Sequence, residues 1–206
     1  MIDLASLTDT ERRNPTTDTE GGRRAKATGL QVDGSPDTLG IGLQLPHGRL
    51  TVPDCEVLIK YGRGVTVDLG TYKGRSAILL AQHADNVFTF DRYGSGEPEH
   101  SLKATRNNIR QYPTIQAAAM DSRQAAESFA DQSVDVLFID TDHNHKSVLA
   151  DYVAWKDKLA PGARVLFHDY CLVWPEVVTA VNELLAGELR EIETKGWIII
   201  TEQRHG

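Results

Sequence analysis

From Gly64 onward the chain alternates short apolar runs with amphipathic stretches. Val65–Leu69, Val87–Phe90, Ile115–Met120, Val134–Ile139 and Arg164–Phe167 are too short for buried helices and predict strands. Val148, Tyr152, Trp155 and Leu159 recur at helical spacing, as do Val177, Val178, Val181, Leu184 and Leu185, and each set predicts a helix with one buried face. Strand, helix, strand repetition predicts a parallel sheet covered on both faces. The pattern then changes: Leu189–Glu193, the pair Lys195-Gly196 and Trp197–Thr201 predict a hairpin that adds an antiparallel strand.

Upstream, Thr51 with Asp54 three residues on has the pattern of a capping box and predicts a short helix to about Tyr61. Residues 9–38 are rich in Thr, Asp, Glu, Arg, Gly and Pro, so burial cannot offset the entropy of ordering them. The expected division is a flexible arm over residues 1–49 and one folded domain over 50–206. A chain of 206 residues with 40% hydrophobic content suits that reading, since it fills one sizeable core and leaves little for a second.

Charge and cysteine content narrow the partners. A net charge of −7 and a pI of 5.5 give no overall footprint for nucleic acid or an anionic membrane, and favour a small-molecule partner. Cys55 and Cys171 lie far apart without CxxC spacing, which signals neither a disulfide framework nor a zinc knuckle. No apolar stretch resembles a signal peptide or reaches bilayer-spanning length, so a cytoplasmic protein is expected. Oligomeric state stays open, a homodimer included.

Aspartates gather where chemistry is expected. Asp68, Asp91, Asp121, Asp140 and Asp169 each stand at or just past the end of an apolar run. In an open parallel sheet, ligands bind outside the carboxyl ends of the strands, so these side chains can share one site. An aspartate there can equally cap the next helix or start a turn. The first turn, Val67 to Ser76, carries Gly70 and Gly74, which allow close backbone approach by a ligand. A nicotinamide fingerprint would place a further glycine at position 72, where this chain has Tyr72. Asp91 has two acceptor oxygens for the two hydroxyls of a ribose, and Asp121 with Ser122 could read adenine.

These residues resemble the class I S-adenosylmethionine-dependent methyltransferases, and within them the small-molecule and sugar O-methyltransferases of natural-product pathways. The resemblance covers Leu50 to Thr201 and rests on VDLGTYKGRSAILLA, TFD, MDS and VDVLFIDTDHNHKSVLADYVAWKDKLAPGARVLFHDY. It implies an α/β fold, a Rossmann-like doubly wound seven-stranded sheet, mostly parallel with an antiparallel C-terminal strand. It also implies S-adenosylmethionine as cofactor. Asp68, Gly70, Thr71, Tyr72, Gly74 and Ser76 would surround its methionine and ribose part, Asp91 with Arg92 the ribose hydroxyls, Asp121 with Ser122 the adenine, and Asp140 would complete the wall.

The loops after the fourth and fifth strands, Asp140 to His145 and His168 to Tyr170, should be neighbours. Methyl transfer to a hydroxyl needs alignment and a base. Asp142 and His143 are the candidates, His143 by its ordinary pKa and Asp142 by resemblance to metal-dependent relatives. Those relatives hold Mg²⁺ through a carboxylate after the fourth strand and a pair of acidic or amide residues after the fifth. Here the pair is His168-Asp169, so a cation site at Asp140, His168 and Asp169 suits a softer divalent ion, or none. His145 reads as an exposed loop residue, Trp155 and Trp197 as core, and Trp174 as a candidate wall of the acceptor pocket. The expected activity is methyl transfer to an oxygen of a small molecule. An NAD-dependent oxidoreductase and a non-catalytic nucleoside-binding module on the same fold are the alternatives.

Overall fold

The computed structural model describes Leu43 and residues 45–94 and 96–204, so most of the expected arm lies outside the described residues. Helix α1 (Val52–Tyr61) opens on the predicted capping box: the Thr51 side chain accepts the Asp54 N–H, and Asp54 accepts the Thr51 N–H. There follow β1 (Gly64–Leu69), α2 (Arg75–Leu80), β2 (Ala84–Asp91), α3 (Leu102–Asn108), β3 (Ile115–Ala119), α4 (Ser122–Ala126) and β4 (Val134–Ile139). Next come α5 (His145–Trp155), a 3₁₀ turn (Lys156–Lys158), β5 (Leu159–Phe167), α6 (Pro175–Gly187), β6 (Leu189–Lys195) and β7 (Ile198–Gln203).

The seven strands form one sheet in the order β3-β2-β1-β4-β5-β7-β6. β1 to β5 run parallel, and β7 lies antiparallel between β5 and β6. Strand order reverses between β1 and β4, which opens a crevice at their carboxyl ends. Alternation along the central strands feeds two cores. Leu137 and Ile139 pack with Val148, Tyr152, Trp155 and Val181 of α5 and α6, whereas Val136 and Phe138 pack with Val57 and Leu58 of α1 and Ile78 of α2. A strand buried on both faces reads as an unbroken apolar run, as Val136–Ile139 does in β4.

Three expectations shift. Leu159 was expected on the apolar face of α5, but it opens β5 and pairs with Val134. The carbonyls of Asp157 and Lys158 accept the N–H groups of Gln132 and Ser133, so pairing with the chain entering β4 takes the segment out of the helix. β2 likewise starts at Ala84, because Ala84 and Asn86 pair with Gly64 and Val65 across a bulge. Finally, packing begins before Leu50: Leu45 is buried in the core with Leu50, and Arg75 Nη1 donates to the Pro46 carbonyl at 2.9 Å.

Candidate functional site

The turn after β1 is fixed by its neighbours as much as by its own sequence. Gly70 has φ of 95°, and a Cβ there would stand 1.8 Å from the Asp140 carbonyl oxygen. Its glycine is therefore demanded by the close approach of the chain leaving β4. Gly74 also has positive φ, at 91°. Tyr72 adopts φ of 47°, a costly conformation for a bulky residue. Its N–H donates to Asp91 Oδ2 at 2.9 Å, while the Tyr93 N–H donates to Asp91 Oδ1 at 2.7 Å. His100 Nε2 reaches both oxygens of the same carboxylate, at 3.2 and 3.1 Å.

Asp68 lies beneath this turn and is fully buried. Its Oδ2 accepts from Ser76 Oγ at 3.0 Å and Thr89 Oγ1 at 2.6 Å, and Thr71 Oγ1 lies 2.5 Å from Thr89 Oγ1. Asp68 Oδ1 has no hydrogen-bond partner. Burial pushes the carboxyl up to about 7, against the two hydroxyl donors.

After β3, Asp121 is the N-cap of α4 and accepts from the backbone and guanidinium of Arg123, which holds its carboxyl below the ordinary value. Ser122 turns its hydroxyl to Asp151 Oδ1 at 2.5 Å, and Thr141 donates to Asp151 Oδ2 at 2.6 Å. Asp151 is buried on α5 and so joins the loops after β3 and β4. Sequence reasoning missed it, although a carboxylate set into the stripe of Val148, Tyr152 and Trp155 was the available signal. Asp151→Ala removes the acceptor of two hydroxyls and is expected to lower stability by about 2 kcal/mol in urea unfolding. An unchanged midpoint would mean that Ser122 and Thr141 find other partners.

The loops after β4 and β5 meet as expected. His143 Nε2 lies 2.7 Å from Asp169 Oδ2, and its ring stacks on Trp174 with centroids 4.0 Å apart and planes at 22°. Asp169 itself has φ of 56°. The hydrogen bond to Asp169 raises the His143 pKa, against partial burial. Asp169 is held well below the usual carboxylate range: burial opposes the charge, but His168 and His143 outweigh it.

His168 is buried behind this pair. Its Nδ1 lies 3.3 Å from Asp140 Oδ1 and 3.2 Å from Asp169 Oδ2, and its Nε2 3.6 Å from Asp54 Oδ2. Burial opposes its charged form, yet Asp169 and Asp140 raise its pKa well above the ordinary value. Asp54 is buried too and accepts from the Thr51 N–H and hydroxyl and from the Trp197 N–H at 2.7 Å. The capping residue read in the sequence thus also ties α1 to the β6–β7 turn, a long-range role no local pattern shows.

Asp142 is half-exposed and pairs with the exposed Arg92 at 3.1 Å, bridging the loops after β4 and β2. His145, expected in a loop, is the first residue of α5 and reaches Glu183 of α6 at 2.9 Å. Trp155 and Trp197 are core, as expected. A small cavity opens between Asp140, Asp142, His143, Phe167 and His168. Asp140, His143 and Asp169 offer ligand atoms within 4.8 Å of one another. On the open side His143 is the imidazole of this cluster, while the buried His168 turns Nδ1 toward Asp140 and Asp169 and Nε2 toward Asp54.

A family model described as a methyltransferase domain matches residues 67–170, a span that holds all five strand-end aspartates. The chain belongs to this methyltransferase family. An uncharacterized protein of Acanthamoeba polyphaga mimivirus is 28% identical over 129 residues, and the match spans 58% of each chain, a little over half of that relative's length. The N-methyltransferase NodS from Bradyrhizobium japonicum superposes with a TM-score of 0.55 at 17% identity, covering 73% of this chain and 94% of that one. A Streptococcus mutans protein solved in complex with S-adenosylhomocysteine gives 0.55 at 13% identity, covering 73% and 95%. At such identities the likeness establishes the shared fold.

In this methyltransferase domain the expected cofactor residues fall into three groups. Asp68, Gly70, Thr71, Tyr72, Gly74, Ser76 and Asp91 come together at the ends of β1 and β2. Asp121 and Ser122 stand at the end of β3, engaged by Arg123 and Asp151, and Arg92 is drawn to Asp142 in the loop that also carries Asp140. Among the described residues, no helix is long and apolar enough to cross a membrane.

Proposed function

We propose that this methyltransferase transfers the methyl group of S-adenosylmethionine to an oxygen of a small molecule, with His143 as general base and Asp169 as its orienting partner. The observation that carries the base assignment is the 2.7 Å contact between His143 Nε2 and Asp169 Oδ2. A carboxylate only accepts, so Nε2 keeps its proton and Nδ1 is the nitrogen able to take one from an acceptor hydroxyl. Trp174 stacks on the ring and limits its rotation. Asp142, tied to Arg92 at the surface, is the weaker candidate.

The residues fit the cofactor. The bound cofactor supplies an electrophilic methyl on a sulfonium, which leaves this chain the tasks of alignment and proton removal. Gly70 and Gly74 give the backbone turn, Asp68 Oδ1 is a buried acceptor lacking a donor, and Asp91 presents a carboxylate pinned from behind by two N–H groups. Tyr72 in the turn disfavours a dinucleotide. The net charge of −7 supports a small acceptor over a polyanion. The two free cysteines suit a reducing compartment, and we place the protein in the cytoplasm.

A second reading rests on the same cluster. Asp140, His143 and Asp169 could together hold a divalent cation, and one imidazole with two carboxylates suits a borderline ion better than Mg²⁺. His143 would then be a ligand, and the base would lie elsewhere.

Isothermal titration with S-adenosylhomocysteine, S-adenosylmethionine and NADH, each with divalent metal and with chelator, tests both. Binding of the adenosyl compounds and not NADH, unaffected by chelator, is the expected result; binding of none of them overturns the proposal. With an acceptor found by screening, transfer should rise with pH through an inflection above 6.5, because the raised pKa keeps His143 protonated and inactive below it. Asp169→Asn should move that inflection down and slow transfer. A profile identical to the unaltered protein's would remove His143 as base, and binding without transfer to any acceptor would favour the non-catalytic module.

A further inference from the structure

We propose that His100 is a built-in occupant of the ribose site, seated in the notch of the Asp91 carboxylate and displaced when a nucleoside binds. The proposal rests on the S-adenosylmethionine reading and concerns how that site is kept before the ligand arrives.

A carboxylate has about four lone-pair positions in its plane, two on each oxygen. On Asp91 the Tyr93 N–H takes one on Oδ1 and the Tyr72 N–H one on Oδ2. What remains is the notch facing away from both, where a vicinal diol can give one hydroxyl to each oxygen. His100 Nε2 lies in that notch, 3.2 Å from one oxygen and 3.1 Å from the other. Because the carboxylate only accepts, Nε2 carries the proton and is shared between the two oxygens. A diol and this imidazole therefore compete for the same two acceptors.

The seat is built. The His100 side chain is only 16% exposed, and its ring packs between those of Tyr72 and Tyr93, with centroids 5.1 and 5.5 Å away. Both tyrosines sit at positive φ, 47° and 52°, and the N–H groups those backbones aim at Asp91 are the ones that pin the carboxylate. Beside it, Glu99 pairs with Lys73 of the glycine turn at 2.5 Å and holds the loop between β2 and α3 over the site. Gly94 and Gly96 of the same loop are exposed, and a Cβ added at either would meet nothing within 4 Å. His100 can thus leave with its loop while α3, capped by Ser101, stays in place.

Loss of a hydrogen bond to a charged group is worth about a factor of ten in a binding constant. His100→Ala, which frees Asp91, should therefore bind S-adenosylhomocysteine about tenfold more tightly than the unaltered chain in isothermal titration. In the unaltered chain, the His100 imidazole signals, identified by their loss in His100→Ala, should shift when adenosine is added and stay in place with 2′,3′-dideoxyadenosine, which lacks the diol. Glu99→Gln, which loosens the loop, should tighten binding by a smaller factor. Unchanged or weaker binding by His100→Ala, or equal shifts with both nucleosides, would overturn the proposal and make His100 part of the wall around the ribose. If neither protein binds S-adenosylhomocysteine, this proposal and the cofactor reading fall together; binding without any gain sinks His100 alone.

Discussion

Gly70→Ala is expected to lower the thermal midpoint by roughly 10 °C and to abolish binding of S-adenosylhomocysteine. Two penalties combine. The φ of 95° is strained for any residue with a Cβ, and that Cβ would stand 1.8 Å from the Asp140 oxygen and 2.6 Å from its carbonyl carbon. Neither obstacle is a side-chain end that can swing aside. Gly70 is locked by its own N–H to the Phe90 carbonyl, and Asp140 by its N–H to the Leu69 carbonyl, both at 2.9 Å. Strain and overpacking of this kind cost about 3 kcal/mol or more, which in a domain of this size shifts the midpoint by roughly 10 °C. Relief requires β1 and β4 to part at their carboxyl ends, where Asp91, Asp140 and His143 are assembled. Gly74→Ala is the control: it also has positive φ, but its Cβ would meet the Ile109 Cγ2 methyl at 3.0 Å, which can yield. Equal midpoints for the two variants in a thermal scan would show that the Gly70 contact relaxes without separating the strands.

Asp68→Asn is expected to stabilise the protein at pH 8 while doing much less at pH 5. The Asp68 carboxyl has an ordinary pKa of 3.8, and burial raises it to about 7 in the folded state. Between those values the unfolded chain releases a proton that the folded chain keeps, so stability present below pH 3.8 is lost as pH rises to about 7. Above that pH the folded protein carries a buried carboxylate at a cost on the order of 4 kcal/mol. Asparagine stays neutral throughout and keeps a carbonyl oxygen for Ser76 and Thr89. The quantity to measure is the difference in urea-unfolding free energy between variant and unaltered chain at the two pH values, which cancels any constant cost of the new amide. Parallel profiles would mean that Asp68 ionises in the folded state as easily as in the unfolded. The same substitution should weaken S-adenosylhomocysteine binding, because an amide group replaces the carboxyl whose Oδ1 is the buried acceptor left for the methionine part of the ligand.

Local and periodic features were legible before the fold was known. The capping box at Thr51 and Asp54, the five parallel strands, the closing hairpin and the strand-end aspartates follow from short-range stereochemistry and burial, which a linear sequence displays. Boundaries were less legible where a partner strand supplied the reason for a conformation. Leu159 has helical spacing to Trp155, yet Val134 draws it into β5.

Within the site, the sequence determined which residue types arrive at the crevice, since a carboxylate at the end of each parallel strand must reach the same edge of the sheet. It did not determine what each one does there. Asp121 caps its helix and binds Arg123, Asp142 is taken by Arg92, and Asp91 is already held by Tyr72, Tyr93 and His100. His143, read as a candidate base, and His168, read as a candidate ligand, are separated by packing: one stacks on Trp174 at the open side, the other is enclosed among Asp54, Asp140 and Asp169. Those pairings join residues up to 114 positions apart, from Asp54 to His168. Chain periodicity encodes which way a side chain faces within its own element. Which hydrogen-bond partner meets it from another element depends on how the elements pack, and only the tertiary structure decides that.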